Sequence, residues 1–131
     1  MKKAKPINLQ NKLETFSKNW HPHKIAEVDG MNVLLAKLKG EFVWHKHEEQ
    51  DELFQVIKGT LYMQIKDVSG SDDVRTEKIK EGEIIVIPKG VEHNPFTKNG
   101  EEVEVLLFES KTTAHTGDVV NELTQTDYPE I

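Results

Sequence analysis

The chain has 131 residues, 36% of them hydrophobic, and a formal net charge of −6 from 17 basic and 23 acidic side chains. That length suits one domain, 1–131, with a real core. One arginine (Arg75) and no cysteine argue against a phosphate-neutralising stripe for nucleic acid and exclude disulfides, thiolate ligation and thiol catalysis. No run approaches the roughly 20 apolar residues of a membrane span, and no signal-peptide core follows Lys2 and Lys3. A cytoplasmic protein fits this composition.

In chain order, Asn8–Lys18 reads as a short helix, with Asn8 as N-cap and Leu9, Leu13 and Phe16 on one face. In His21-Pro22-His23 the proline separates the two rings, and both histidines read as surface residues. Lys24–Val28, Asp29-Gly30 and Met31–Lys39 give a hairpin signal. Gly40 breaks that run and Glu41–His47 resumes it, with Val43, His45 and His47 on one face. Trp44, on the other face, is expected outside the barrel, beneath the helix or at a subunit contact. Glu52–Lys58 and Thr60–Lys66 flank Gly59 as a second pair, and Phe54 and Val56 share the parity of Glu52 as core or pocket wall. Leu61, Met63 and Ile65 alternate with Tyr62, Gln64 and Lys66, the period of a half-buried strand. Parity leaves open whether Tyr62 and Gln64 face lumen or solvent. Asp67–Asp73 is a polar loop. Val74–Lys80, Ile84–Ile87, His93–Thr97 and Glu102–Glu109 are further strands, divided by glycine-containing turns. The tail Ser110–Ile131 is weakly periodic. Many short strands and one helix argue for an antiparallel sandwich or barrel.

His45 and His47 alternate on their strand, so both imidazoles can converge on one ion. A carboxylate from Asp51 or Glu52, with His93 from a distant strand, completes a set of three nitrogens and one oxygen. Such a set suits a divalent transition metal with positions left open. The plainer reading is a pair of solvated histidines, but inward histidines of a small barrel need partners for their ring nitrogens. In Gly82–His93 a buried apolar strand ends at Pro88, turns through Gly90, and delivers His93 to the barrel mouth. His115 could fold over that mouth as a general base, although an exposed tail residue is the simpler reading.

The two stretches resemble the conserved motifs of the cupin superfamily, G-x5-H-x-H-x(3,4)-E-x6-G and G-x5-P-x-G-x2-H-x3-N. The first runs from Gly40 through His45, His47 and Glu52 to Gly59, and the second from Gly82 through Pro88, Gly90 and His93 to Thr97. Two positions depart from the pattern: four residues separate Gly40 from His45, and Thr97 replaces asparagine. The resemblance implies an all-β, cupin-type double-stranded β-helix (jelly-roll) barrel with a short N-terminal helix and a motif core of 40–97. It implies His45, His47, Glu52 and His93 as metal ligands. Glu52 is preferred to Asp51 because it keeps the six-residue gap to Gly59.

Iron, zinc, manganese and nickel all suit this donor set. The function implied is a metal-dependent enzyme, of oxygenase or isomerase type, on a small polar metabolite. The alternative is a non-catalytic module that holds a metal or small ligand, since no catalytic residue beyond the ligands stands out. Similar small bacterial cupins carry a mannose-6-phosphate isomerase-like label, but Arg75 alone makes a poor phosphate clamp. Small cupins are commonly homodimers, and Lys24–Val28 and Ser110–Ile131 are the candidate contact segments.

Overall fold

A strand that alternates apolar and polar residues has one face to bury, and two sheets of such strands bury theirs against each other. The computed structural model describes residues 3–111 and 128–131. It contains one helix, α1 (Leu9–Leu13), and eight strands: β1 (His23–Val28), β2 (Met31–Leu38), β3 (Glu52–Lys58), β4 (Leu61–Lys66), β5 (Arg75–Ile79), β6 (Ile84–Ile87), β7 (Glu92–Phe96) and β8 (Val103–Ser110). Five form an antiparallel sheet in the order β1-β2-β8-β3-β6, and three form a second in the order β5-β4-β7. This is the all-β jelly-roll sandwich that the strand pattern implied. Its core lies between the sheets. Leu34, Ala36, Phe54, Val56, Val105 and Leu107 come from the larger sheet, and Leu61, Met63, Ile65 and Ile79 from the smaller. Among the described residues no helix is long and apolar enough to cross a membrane.

The Asp29-Gly30 hairpin is present. Both residues have positive φ, +46° and +78°, and Val28 pairs with Met31 across them. That backbone matches the right-handed twist of the strands it joins. On β4 the open parity question resolves outward. Tyr62 stacks on Phe96 at 5.4 Å, and Asn94 donates to Gln64 at 3.1 Å. The opposite face of the same pair carries Ile65 against His93 and Met63 against Pro95, and it is buried.

Several expectations need correction. The helix ends at Leu13 rather than Lys18, because Thr15, Ser17 and Asn19 are weak helix formers. Phe16 leaves the helix to stack on His23 at 4.0 Å, and His23 is therefore buried rather than on the surface. Lys37 holds this exit by donating to the Phe16 carbonyl at 2.7 Å.

Glu41–His47 is not a continuous strand. It meets β7 only at two bridges, Glu41 with Phe96 and His45 with His93. Four residue steps on one side match three on the other, so one residue is bulged out. Trp44 lies beneath Lys66, whose Nζ is 4.9 Å from its ring centroid, whereas α1 packs on β2. Finally, β6 is an edge strand and not a buried one. Ile84 and Val86 are 58% and 48% exposed, and Ile87 turns inward.

Candidate metal centre

The larger sheet supplies the carboxylates. Glu52 opens β3 on the inner face, directly opposite Glu109 of β8, which in turn lies opposite Asn32 of β2. The bulged segment supplies His45 and His47. His93 is the second residue of β7, after the Pro88–Gly90 corner, where Gly90 donates to the His47 carbonyl at 2.7 Å. His45 and His93 exchange backbone hydrogen bonds at 3.0 and 2.9 Å, so the two rings are fixed by the same pair of strands. The motif's two irregular positions also meet. Thr97 donates its amide to the Gly40 carbonyl at 2.9 Å, and its hydroxyl accepts from the Gly40 amide at 2.7 Å.

One donor atom from each of His45, His47, Glu52 and His93 lies within 4.8 Å of all the others, and all four residues are buried. Glu52 Oε1 is 3.4 Å from His47 Nε2 and 3.5 Å from His93 Nε2. These three atoms have no hydrogen-bond partner. Donors held roughly 2.1 Å from one ion lie about 3–3.4 Å from their neighbours, so the spacing fits. Unpaired buried polar atoms are otherwise costly, about 1–3 kcal/mol each. The tautomers fit as well. His45 Nδ1 is 2.9 Å from the Val43 carbonyl, and His93 Nδ1 is 2.9 Å from the Val91 carbonyl. Each Nδ1–H donates to its carbonyl, which leaves Nε2 as the lone-pair donor facing the centre.

Asp51 is elsewhere. It is exposed, and its carboxylate accepts from the Lys89 amide at 2.9 Å. His21 and His23 sit together, 5.2 Å between ring centroids, outside the four-residue group. His115 lies outside the described residues.

Parity also brings in a residue that sequence reading passed over. Glu109 is 2% exposed and hydrogen-bonded to Glu52 and to Tyr128. Burial raises the pKa of Glu52, but the Glu109 carboxyl and the flanking His47 and His93 rings outweigh it and hold Glu52 well below the usual carboxylate range. Burial, and then the Glu52 charge, pushes Glu109 well above that range. The pair thus carries one proton, on Glu109. Burial also raises the Tyr128 hydroxyl, with the negative charge of the Glu52–Glu109 pair adding to it. Tyr128 is placed by the chain end: Lys24 donates to the Pro129 carbonyl at 2.8 Å, and Ile131 donates to the Lys24 carbonyl at 3.0 Å.

His45 is lowered to about 3, chiefly by burial and next by His93, so it stays a neutral imidazole at neutral pH. These shifts set an acid profile for metal-stripped protein. From pH 6.5 to 4.5 the unfolded His45 gains a proton that the folded one refuses, which destabilises the fold. Glu109, protonated in the fold and ionised when unfolded, offsets this over the same interval. Below pH 4.5 that offset ends, and the depressed Glu52 adds to His45. His21 and His23, lowered chiefly by burial, add to His45 over that interval, so the denaturation midpoint should fall from pH 6.5 to 4.5 at a slope that Glu109 lessens, and more steeply below. Each group contributes up to about 1.4 kcal/mol per pH unit. In Glu109→Gln the slope between pH 6.5 and 4.5 should steepen. A slope unchanged by that substitution would refute the protonation scheme.

Two of the four, His45 and Glu52, border a cavity between the sheets of about 400 Å³, counted to its open mouth and walled by Trp20, Phe42, Phe54 and Leu107. Comparison with known proteins agrees with this architecture. Residues 33–109 match the family model described as Cupin domain. A cupin-2 domain containing protein from Shewanella frigidimarina NCIMB 400 is 39% identical, with a TM-score of 0.72 over 80% of this chain and 94% of that one. The uncharacterised protein YdbB of Bacillus subtilis is 39% identical over 69 residues, 53% of this chain and 56% of that protein. Hydroquinone 1,2-dioxygenase from Sphingomonas sp. TTNP3, in complex with 4-nitrophenol, is 18% identical, with a TM-score of 0.71 over 82% of this chain and 33% of that one, and shares the fold. The chain spans 50–62% of the length of the first curated relatives that it matches.

Proposed function

Because this chain belongs to the cupin-domain family, we propose that it is a divalent-metal protein that acts on a small molecule, with His45, His47, Glu52 and His93 as ligands. The observation that carries the reading is the set of buried, unpartnered donors: His47 Nε2, His93 Nε2 and Glu52 Oε1 meet beside a cavity with nothing else to satisfy them. A bound ion would supply polarisation of a ligand oxygen or, as iron, one-electron chemistry with dioxygen. The chain's own part is to fix the tautomers of His45 and His93 through the Val43 and Val91 carbonyls. It also keeps Glu52 ionised through Glu109 and excludes water with an apolar wall.

An enzyme of oxygenase or isomerase type is the function that such a site serves best. The dioxygenase that shares this fold supports the first of these two types. A non-catalytic binding module is the second reading. It is favoured by the fact that Glu109 and Tyr128, the acid–base groups lining the cavity beyond the ligands, are bonded to each other. Protein purified without an affinity tag or chelator is expected to hold about one equivalent of a transition metal, since the donor set forms one site. Iron would favour oxygenase chemistry, and zinc or manganese the isomerase type. Metal-free protein would overturn the whole reading. We place the subunit contact of a homodimer on the outer face of the larger sheet, beside the exposed Ile84 and Val86. Light scattering should then give twice the 15.0 kDa chain mass, and a monomer would exclude it.

A further inference from the structure

We propose that the cavity takes an apolar single-ring molecule carrying one uncharged hydroxyl, a phenol or cyclic alcohol, rather than a phosphorylated or polyhydroxylated metabolite. The inference rests on the metal reading only for the place of the hydroxyl, next to His45 and Glu52; the rest follows from the walls. Trp20 and Phe42 stack with centroids 4.6 Å apart and planes 14° from parallel. Trp20 Nε1 donates to the Lys39 carbonyl at 2.8 Å, so this aromatic slab is fixed in advance and its one polar atom faces away from a ligand. Phe42 meets the His45 ring edge-on at 5.5 Å, which carries the slab up to the donor centre. Phe54, Leu38 and Leu107 line the cavity with them.

Polar groups enter at one end alone. His45, Glu52, Glu109 and Tyr128 are the polar side chains among the described lining residues, and no lysine or arginine is among them. Arg75 is bound instead to Asp67 on the smaller sheet, with its Nε 2.6 Å from the carboxylate. A phosphate here would lose its hydration with no cation from the chain to replace it. Each additional sugar hydroxyl would be buried without a partner, at about 1–3 kcal/mol. A ring with one hydroxyl meets neither cost.

Trp20 makes the test direct, because the chain has two tryptophans and Trp44 lies away from the cavity beneath Lys66. In the Trp44→Phe protein, phenol and cyclohexanol should each change Trp20 emission saturably. Glucose 6-phosphate and glycerol should bind at least about tenfold more weakly, since one unpaired buried group already costs that factor. No saturable response to phenol or cyclohexanol, or tighter binding of glucose 6-phosphate, would overturn the proposal. Ala36→Phe, which fills the cavity from β2, should abolish the phenol response in a protein that still melts cooperatively; an unchanged response would place phenol elsewhere and also overturn it. Should that variant not fold, the wild-type ranking decides. The same titration on metal-stripped protein separates the two readings. Phenol binding without any metal site leaves the pocket standing, and a metal-loaded protein blind to both alcohols leaves only the metal.

Discussion

Replacing His47 with alanine is expected to bring retained metal to background while leaving a folded barrel. The fold should survive because His47 takes part in no strand ladder. Its backbone carbonyl, which accepts from Gly90 at 2.7 Å, is kept by alanine. The metal should go because the substitution removes one of four donors and leaves Glu52 Oε1 facing a gap where His47 Nε2 stood at 3.4 Å. Loss of an outer partner of a metal ligand typically costs 10–100-fold in affinity, and loss of the ligand itself should exceed about 100-fold. Thermal unfolding with and without added zinc or manganese gives a second readout. Wild type should gain about 2.7 kcal/mol at metal one hundred times above its dissociation constant. His47→Ala, with affinity lowered at least about 100-fold, should gain no more than about 0.4 kcal/mol at the same concentration. A variant that retains a full equivalent would mean that the metal is held elsewhere.

How much of this was legible beforehand depends on the kind of signal. Strand parity is local: it put Phe54 and Val56 on the inward face with Glu52, where the structure has them, and it separated Leu61, Met63 and Ile65 from Tyr62, Gln64 and Lys66 without telling which set is buried. The geometry also brings together the four residues that the two motifs singled out. Parity contained Glu109 too: Val103, Val105 and Leu107 alternate inward, and the next inward position is Glu109. An acidic residue at the end of an apolar alternation is a readable signal that was passed over. Other features had no local signal. Trp20 joins the core because its own φ of +58° turns the chain back and its amide donates to the Lys37 carbonyl at 2.8 Å. Tyr128 reaches the cavity because the chain end closes on β1. Both depend on long-range pairing, which no short window of sequence contains. The one-residue bulge before His45 is likewise set by its partner β7.

The proton on Glu109 has consequences that two substitutions can separate. Glu109→Gln keeps the shape and both hydrogen bonds, since the amide N–H can donate to Glu52 and the amide carbonyl can accept from Tyr128. At pH 4.5, where the unfolded chain also binds this proton, its expected cost is below about 1 kcal/mol, with metal affinity little changed; at neutral pH it should stabilise, because the unfolded wild type gains by ionising Glu109. Glu109→Ala removes both. Glu52, wholly buried by the two sheets, would keep its charge without the donor that stabilises it, Tyr128 would lose its acceptor, and a cavity would open where a 2%-exposed side chain stood. Those effects together predict a loss of about 2–5 kcal/mol in stability and 10–100-fold in metal affinity. If Glu109 were ionised instead, two carboxylates would repel each other across β3 and β8. Glutamine would then stabilise the protein markedly by removing that repulsion. Denaturant unfolding of the two variants beside wild type at pH 4.5 distinguishes the cases. A near-neutral glutamine with a costly alanine fits a proton-donating Glu109, whereas a stabilising glutamine, or an alanine as good as glutamine, would remove it from the support of the centre.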